Sequence, residues 1–232
     1  RGFLRWDVVE RTMALTSAPY IAVELADLQG RPDWADRWSR VIQEDPAGHP
    51  RPYWRYPASS ETLIHHAYHW AQFEEKTELR LDEIDCIFEF GGGYGGMCRL
   101  LRRLGFRKRY VLFDLPAFSA LQRYFLRSLG LAVASQPSFE SGEDAVLCTS
   151  RVDEVAAALA TREKSASAVF IGTWSISEVP AGLRREILSL VSEFTGFLMA
   201  YQMQFEQIDN DAFFKEIKAA WADVTWTHWP IE

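Results

Sequence analysis

Cys86-Ile87-Phe88-Glu89-Phe90-Gly91-Gly92-Gly93-Tyr94-Gly95-Gly96 sets a short apolar run directly against five glycines in six positions, and an amphipathic stretch follows it. A strand, a glycine turn and a helix in that order form the opening of a nucleotide-binding βα unit. Glycine is needed there because the turn uses backbone angles closed to other residues and lets a ligand approach the main chain without a Cβ between them. The helix beyond it presents free N–H groups to whatever the turn holds. Working outward, short apolar runs alternate with amphipathic stretches to the end of the chain. Strands are expected over residues 86–90, 110–113, 145–148, 168–172, 196–202 and 224–228. Helices are expected over 94–104, 117–129, 152–159, 181–193 and 212–221. That alternation predicts an α/β fold with a doubly wound, mostly parallel sheet of Rossmann-like type.

Two patterns fit the glycine letters. Gly91-x-Gly93-x-x-Gly96 matches a dinucleotide fingerprint, whereas Glu89-x-Gly91-x-Gly93-x-Gly95 matches the acidic-led turn of methyltransferases. Glu89 decides between them. An ionised carboxylate at the strand end repels a pyrophosphate, but it attracts the ammonium and sulfonium of S-adenosylmethionine, which carries no phosphate. The expected cofactor is therefore S-adenosylmethionine rather than NAD. Asp114, about twenty residues beyond the glycines in Tyr110-Val111-Leu112-Phe113-Asp114-Leu115-Pro116, stands where a ribose-binding carboxylate belongs. Its plainer role is to cap the helix that Pro116 opens, and the two roles are compatible. Gly92 and Tyr94 within the turn, and Leu115 beside Asp114, complete the candidate cofactor contacts in this part of the chain.

Residues 1–80 show no convincing strand pattern and are expected to form a helical cap or lid, with residues 81–232 as the cofactor-binding domain. Helices are predicted around 7–16, 32–43 and 60–79, the last capped by Ser59 or Ser60. The intervening Asp45-Pro46-Ala47-Gly48-His49-Pro50-Arg51-Pro52 is a loop by composition.

From Ser60 to Pro180 the chain resembles the sugar O-methyltransferase family of bacterial biosynthetic pathways, within the class I S-adenosylmethionine-dependent methyltransferases. The likeness rests on Phe88-Glu89-Phe90-Gly91-Gly92-Gly93-Tyr94-Gly95-Gly96, Phe113-Asp114-Leu115-Pro116, Leu121-Gln122-Arg123-Tyr124-Phe125-Leu126 and Thr173-Trp174-Ser175-Ile176-Ser177-Glu178-Val179-Pro180. It implies methyl transfer to a hydroxyl of a sugar or sugar-containing small molecule. It also implies that Glu89, Gly91, Gly93, Gly95 and Asp114 hold the cofactor, while Trp174, Ser175 and Glu178 face the reaction.

In an open parallel sheet the ligand sits outside the carboxyl ends of the strands, so residues 173–178 should border the transferred methyl group. Thr173 and Trp174 are placed against the cofactor and Ser175 against the substrate, with Gln202 as a further substrate contact. A general base would raise the nucleophilicity of an alcohol. Glu178 is one candidate, although its bland role is to complement a helix dipole. His65 and His69, four apart on the last cap helix, are the others, with structural packing as their default. The His65, His66 and His69 group lacks a carboxylate or a third ligand in a recognised zinc spacing, so no metal is expected. Tyr53, Trp54, Tyr56, Tyr68 and Trp70 are expected mainly in packing.

The bulk numbers exclude several classes. The chain has 232 residues, 48% of them hydrophobic and 25% charged, which argues against disorder. Its net charge of -7 repels a phosphate backbone, so nucleic acid is not an expected partner. The basic stretch Arg99, Arg102, Arg103, Arg107, Lys108, Arg109 reads as a solvated helix end. No run of about 18 apolar residues suggests a membrane span. Three cysteines without a Cys-x-x-Cys pair point to a reducing, cytoplasmic setting. Two other functions fit the same letters: an NAD-dependent oxidoreductase, for which no Tyr-x-x-x-Lys pair is present, and a binding module that keeps the cofactor turn without catalysis.

Overall fold

The computed structural model describes residues 2–135, 139, 144–163 and 165–231. Six strands, β1 (Cys86–Phe90), β2 (Arg109–Phe113), β3 (Val133–Ala134), β4 (Val146–Thr149), β5 (Ala168–Thr173) and β6 (Gly196–Ala200), form one sheet in the order β3-β4-β2-β1-β5-β6. Every pairing in it is parallel. The chain winds from β1 through β2 toward one edge, then crosses back to lay β5 on the other side of β1. The fold is thus a doubly wound α/β sheet of Rossmann-like type, with its switch point between β1 and β5.

Side chains alternate across each strand, and both faces are buried. Ile87, Leu112 and Ile171 join an apolar cluster with Leu63, Trp70, Trp38 and Leu100, which includes the N-terminal helical layer. Phe88, Val111 and Phe170 join a second cluster with Val155, Ile187 and Phe214 on the opposite face. The helices Gly96–Arg103 and Pro116–Ser128 follow β1 and β2, while Val152–Ala160, Ala181–Leu190 and Asn210–Ala220 serve the later part of the sheet.

In the N-terminal layer, Glu61–Thr77 begins where expected, with the Ser60 hydroxyl accepting from Leu63 N–H at 3.2 Å. The stretch expected as one helix over 32–43 is instead a π-helical turn, Trp34–Trp38, running into Ser39–Val41. An unanticipated helix, Ile21–Gly30, packs against Glu61–Thr77. Residues 224–228 do not form the expected strand. Trp226 stacks on Trp221, and both lie against Phe197 of β6, so aromatic packing covers that side of the sheet. A small antiparallel hairpin, Gln204–Phe205 with Ile208–Asp209, follows β6, which itself ends at Ala200.

The basic stretch is also corrected. Arg99 and Arg102 are buried, not solvated. Arg99 donates to Asp45 Oδ2 at 2.8 Å and to the Gln43 carbonyl at 2.5 Å, which ties the proline-rich loop to the helix after the glycine turn. Arg102 donates to the carbonyls of Phe106 and Ala145. Their partners come from distant segments, so helical periodicity alone could not assign them.

Candidate functional site

At the carboxyl end of β1 the turn adopts positive φ at Gly91 (73°), Gly93 (55°) and Gly95 (95°). Gly91 N–H donates to the Phe113 carbonyl and Gly95 N–H to that of Gly92, each at 2.8 Å. Gly91 and Gly92 are also held to glycine by space. A Cβ on Gly91 would stand 2.1 Å from Ser175 Cβ, and one on Gly92 would stand 2.2 Å from a Leu112 methyl. The turn is therefore clasped between β2 and the loop after β5.

That loop has its own tension. Trp174 sits at φ 66°, ψ -54°, sparsely populated for a non-glycine residue, with its N–H donating to Ala200 at 2.7 Å. The Ser175 hydroxyl donates to the Phe90 carbonyl at 2.5 Å, joining the ends of β1 and β5. A one-turn helix, Ser175–Glu178, then carries Glu178 back toward the glycines.

A cavity of about 390 Å³ opens at the switch point. Its lining includes Glu89, Gly91, Gly92, Gly93 and Tyr94 from the turn. Thr173, Trp174, Ser175 and Glu178 enter from the β5 loop, and His65 and His66 from the helical layer. Sequence reasoning missed one wall, the segment 11–15 with Tyr20 and Thr62. Leu15 N–H donates to Thr62 Oγ1 at 2.8 Å, and Met13 lies 3.5 Å from where a Gly93 Cβ would stand. A local pattern at 11–15 gave no sign of this approach, because it depends on a tie spanning nearly fifty residues.

The other candidates lie elsewhere. Gly95, Asp114 and Leu115 stand outside this lining. Gln202 and His69 line a second cavity of about 580 Å³, together with Tyr201, Trp229 and Trp174. Trp174 thus borders both spaces.

Two buried carboxyls govern the electrostatics. Glu89 accepts from the Tyr110 hydroxyl at 2.6 Å, and burial pushes its pKa up to about 7, with the Asp114 charge adding and the Tyr110 bond opposing. Asp114 accepts from Gly93 N–H at 2.9 Å, Leu115 N–H at 2.8 Å and Gln122 Nε2 at 3.1 Å. Burial raises it to about 6 against those bonds. Asp114 therefore buttresses the glycine turn directly. Burial also raises the Tyr94 hydroxyl, whose ring stands edge-on to Phe125.

Of the candidate bases, Glu178 is an exposed residue at the cavity wall, and partial desolvation raises its pKa. No hydrogen bond to its carboxylate is recorded among the described residues. The histidines are differently placed. His65 Nδ1 lies 2.8 Å from Glu24 Oε1, and its Nε2 lies 3.1 Å from His69 Nε2. The Trp229 indole donates to His69 Nδ1 at 3.3 Å. Both ring nitrogens of each are thus engaged by protein, which leaves neither free to meet a substrate hydroxyl in this arrangement. His69 is held well below the usual histidine range by burial, then by His65 and His66, and burial takes the enclosed His66 down to about 3. Glu24 also supplies the carboxylate that the sequence pattern around these histidines lacked.

No protein-family model matches the chain, and no curated protein matches it. Among solved structures it is similar to the mitomycin 7-O-methyltransferase MmcR, at 13% identity and a TM-score of 0.36, over 86% of this chain and 56% of that one. It is also similar to the pyocyanin biosynthetic protein PhzM, at 17% identity and a TM-score of 0.33, over 77% of this chain and 46% of that one. The chain spans about half the length of these two structures. No helix among the described residues is long and apolar enough to cross a membrane.

Proposed function

We propose that this chain binds S-adenosylmethionine in the switch-point cavity and transfers its methyl group to a hydroxyl of a small molecule, a sugar or sugar-containing acceptor. The observation that carries the reading is the carboxylate of Glu89 at the glycine turn, in a cavity of about 390 Å³ between β1 and β5. The size suits a nucleoside ligand, and the charge suits a cation. The sugar acceptor rests on the sequence resemblance.

Held by Glu89 and the glycine turn, S-adenosylmethionine would supply a sulfonium-bound methyl group for in-line transfer to the acceptor oxygen. The sulfur would leave with the bond's electron pair as a neutral thioether, and the hydroxyl proton would pass to a base. Glu178 is assigned that role, since it borders the cavity with no hydrogen-bond or ion-pair partner among the described residues and its raised pKa makes it a stronger base. Thr173 and Trp174 border the same cavity on the side assigned to the cofactor, and Ser175 on the side assigned to the acceptor. Much of the rate comes from holding the three reacting atoms in line in a site that excludes water.

Calorimetric titration with S-adenosylhomocysteine, alongside NAD, tests the cofactor. Micromolar binding of the first and none of the second is expected; binding of NAD, or of neither, overturns the assignment. Glu89 adds a pH signature. With its carboxyl near 7, the empty protein holds it mostly neutral at pH 6, and the stability of that neutral form is lost as pH rises from about 4.5 through 7. A ligand ammonium favours the ionised form, so homocysteine-product affinity should rise about tenfold from pH 6 to pH 8. Glu89→Gln should flatten that rise, and an equally steep profile in the variant would remove Glu89 from the ammonium contact.

Once a turnover assay with labelled S-adenosylmethionine and a sugar panel yields an acceptor, Glu178→Gln should lower kcat by about 100-fold or more. Cofactor-product affinity should stay at the wild-type value. Unchanged kcat would assign the proton to another group. Cofactor binding with no turnover on any acceptor would favour a non-catalytic binding module.

A further inference from the structure

Three side chains of metal-ligating type meet inside the helical layer. Glu24 comes from Ile21–Gly30, while His65 and His69 lie one turn apart on Glu61–Thr77, and all three are buried. One oxygen or nitrogen from each lies within 4.8 Å of those of the other two. Glu24 Oε1 and Oε2 stand 2.8 and 3.0 Å from His65 Nδ1, and the two histidine Nε2 atoms are 3.1 Å apart. A single ion takes only one His65 nitrogen, so the three ligand atoms it would gather, one per residue, start within 4.8 Å of one another and close to little more than about 3 Å around bonds of about 2.0–2.2 Å.

We propose that Glu24, His65 and His69 form a binding site for a divalent transition-metal ion of the zinc class. Two imidazoles and one carboxylate suit such an ion and leave a fourth, tetrahedral position open. The site stands whether or not the neighbouring cavity holds S-adenosylmethionine.

The hydrogen bonds among these atoms define what an ion would replace. Without an ion, the atoms can satisfy one another in a one-way chain. The Trp229 indole N–H donates to His69 Nδ1, His69 Nε2–H to His65 Nε2, and His65 Nδ1–H to Glu24. The directions follow because an indole nitrogen can only donate. Glu24 is buried, and its partner among the described residues is His65, with no lysine or arginine paired to it there. A carboxylate out of water is costly unless it faces a cation, and a divalent ion in this cluster would be one.

Loading changes identifiable contacts. One imidazole gives one nitrogen to an ion, so at least one of the two His65 hydrogen bonds is replaced by a metal bond. His69 ligating through Nε2 carries its proton on Nδ1, which can no longer accept from Trp229. The ion and the Trp229 contact therefore compete.

The test is calorimetric titration of the chelator-treated full chain with zinc chloride, with cobalt(II) absorption as a spectroscopic report on ligand type. One equivalent should bind with micromolar or tighter affinity, and cobalt should give the intense visible bands of a four-coordinate site. His69→Ala should abolish binding, Glu24→Gln should weaken it at least tenfold, and His228→Ala at an exposed histidine should leave it unchanged. Trp229→Phe keeps an aromatic ring but removes the competing donor, so it should bind zinc several-fold more tightly. Absence of saturable one-equivalent binding overturns the site, as does binding that survives His69→Ala and Glu24→Gln or is lost in His228→Ala. If the buried variants fail to fold, Trp229→Phe decides: tighter binding supports the site, and unchanged affinity overturns it.

Discussion

Gly91→Ala is expected to abolish S-adenosylhomocysteine binding and to lower the unfolding free energy by about 2–5 kcal/mol. Two independent penalties act at this residue. Its φ of 73° is a left-handed conformation, which costs an L-residue roughly 1–2 kcal/mol. Its new methyl group would stand 2.1 Å from Ser175 Cβ and 2.3 Å from Ser175 Oγ, well inside contact distance. Ser175 is not free to retreat, because its hydroxyl bonds the Phe90 carbonyl and its backbone opens the Ser175–Glu178 turn. Relieving such an overlap costs about 1–3 kcal/mol in a packed interior. The displacement also enters the cavity wall, so binding fails even in the fraction that folds. Urea unfolding and calorimetry measure the two effects separately. Ser175→Gly in the Gly91→Ala background should recover part of the stability by removing the overlap while leaving the φ penalty. Normal stability and binding in Gly91→Ala would mean that the strand ends do not approach as closely as described.

That contact shows what the sequence could and could not convey. Strands β1, β2, β4 and β5 were legible because parallel strands buried on both faces are continuous apolar runs, and each here ends at a glycine, aspartate or polar turn. The glycine turn was legible because left-handed angles at Gly91, Gly93 and Gly95 favour glycine, while Gly91 and Gly92 have no space for a Cβ. That Ser175 is what excludes a Cβ from Gly91 is a fact of tertiary packing, visible only once β5 lies beside β1. The helix Ile21–Gly30 escaped notice because its N-terminus carries no side-chain cap and Val23 is exposed among apolar neighbours, which blurs its amphipathic stripe. Missing that helix meant missing Glu24, and with it the charge beside His65. The strand expected over 224–228 failed in the opposite way. Its β-branched and aromatic letters fit a strand, yet Trp226 finds a better partner in Trp221 than in a ladder. Arg99 and Arg102 carry no local sign of burial, since carbonyls and carboxylates up to 56 residues away are what make it possible.

Arg184 escaped notice on the same grounds, and Arg184→Met is expected to destabilise the protein by about 3–5 kcal/mol. The side chain is fully buried, with its guanidinium over the Phe213 ring at 4.9 Å. It donates to the carbonyls of Val179 and Ser177 and to Asn210 Oδ1, each at 2.6 Å. Asn210 in turn donates to the Gln202 carbonyl at 2.9 Å. One planar cation thus fixes both sides of Glu178 and, through Asn210, the chain leaving β6. Methionine keeps the apolar stem but strands three acceptors in a site that water does not reach, at about 1–3 kcal/mol for each one left unpaired, partly relieved by relaxation. Lysine is no remedy, because a single ammonium cannot span acceptors arranged for a guanidinium fork. The functional consequence differs from that of Gly91→Ala. The hydrogen-bond partners of Arg184 are Val179, Ser177 and Asn210, not the glycine turn or Glu89, so S-adenosylhomocysteine should still bind the folded variant. Turnover should fall with the loss of the Glu178 position, giving a lower kcat at nearly unchanged cofactor affinity. Urea unfolding of Arg184→Met and Arg184→Lys checks the first claim, and a loss below about 1 kcal/mol in both would show that the buried fork is dispensable. Loss of cofactor-product binding in a folded Arg184→Met would show that the β5 loop and the glycine turn move as one unit, because the Ser175 hydroxyl bond to Phe90 is the direct link between them.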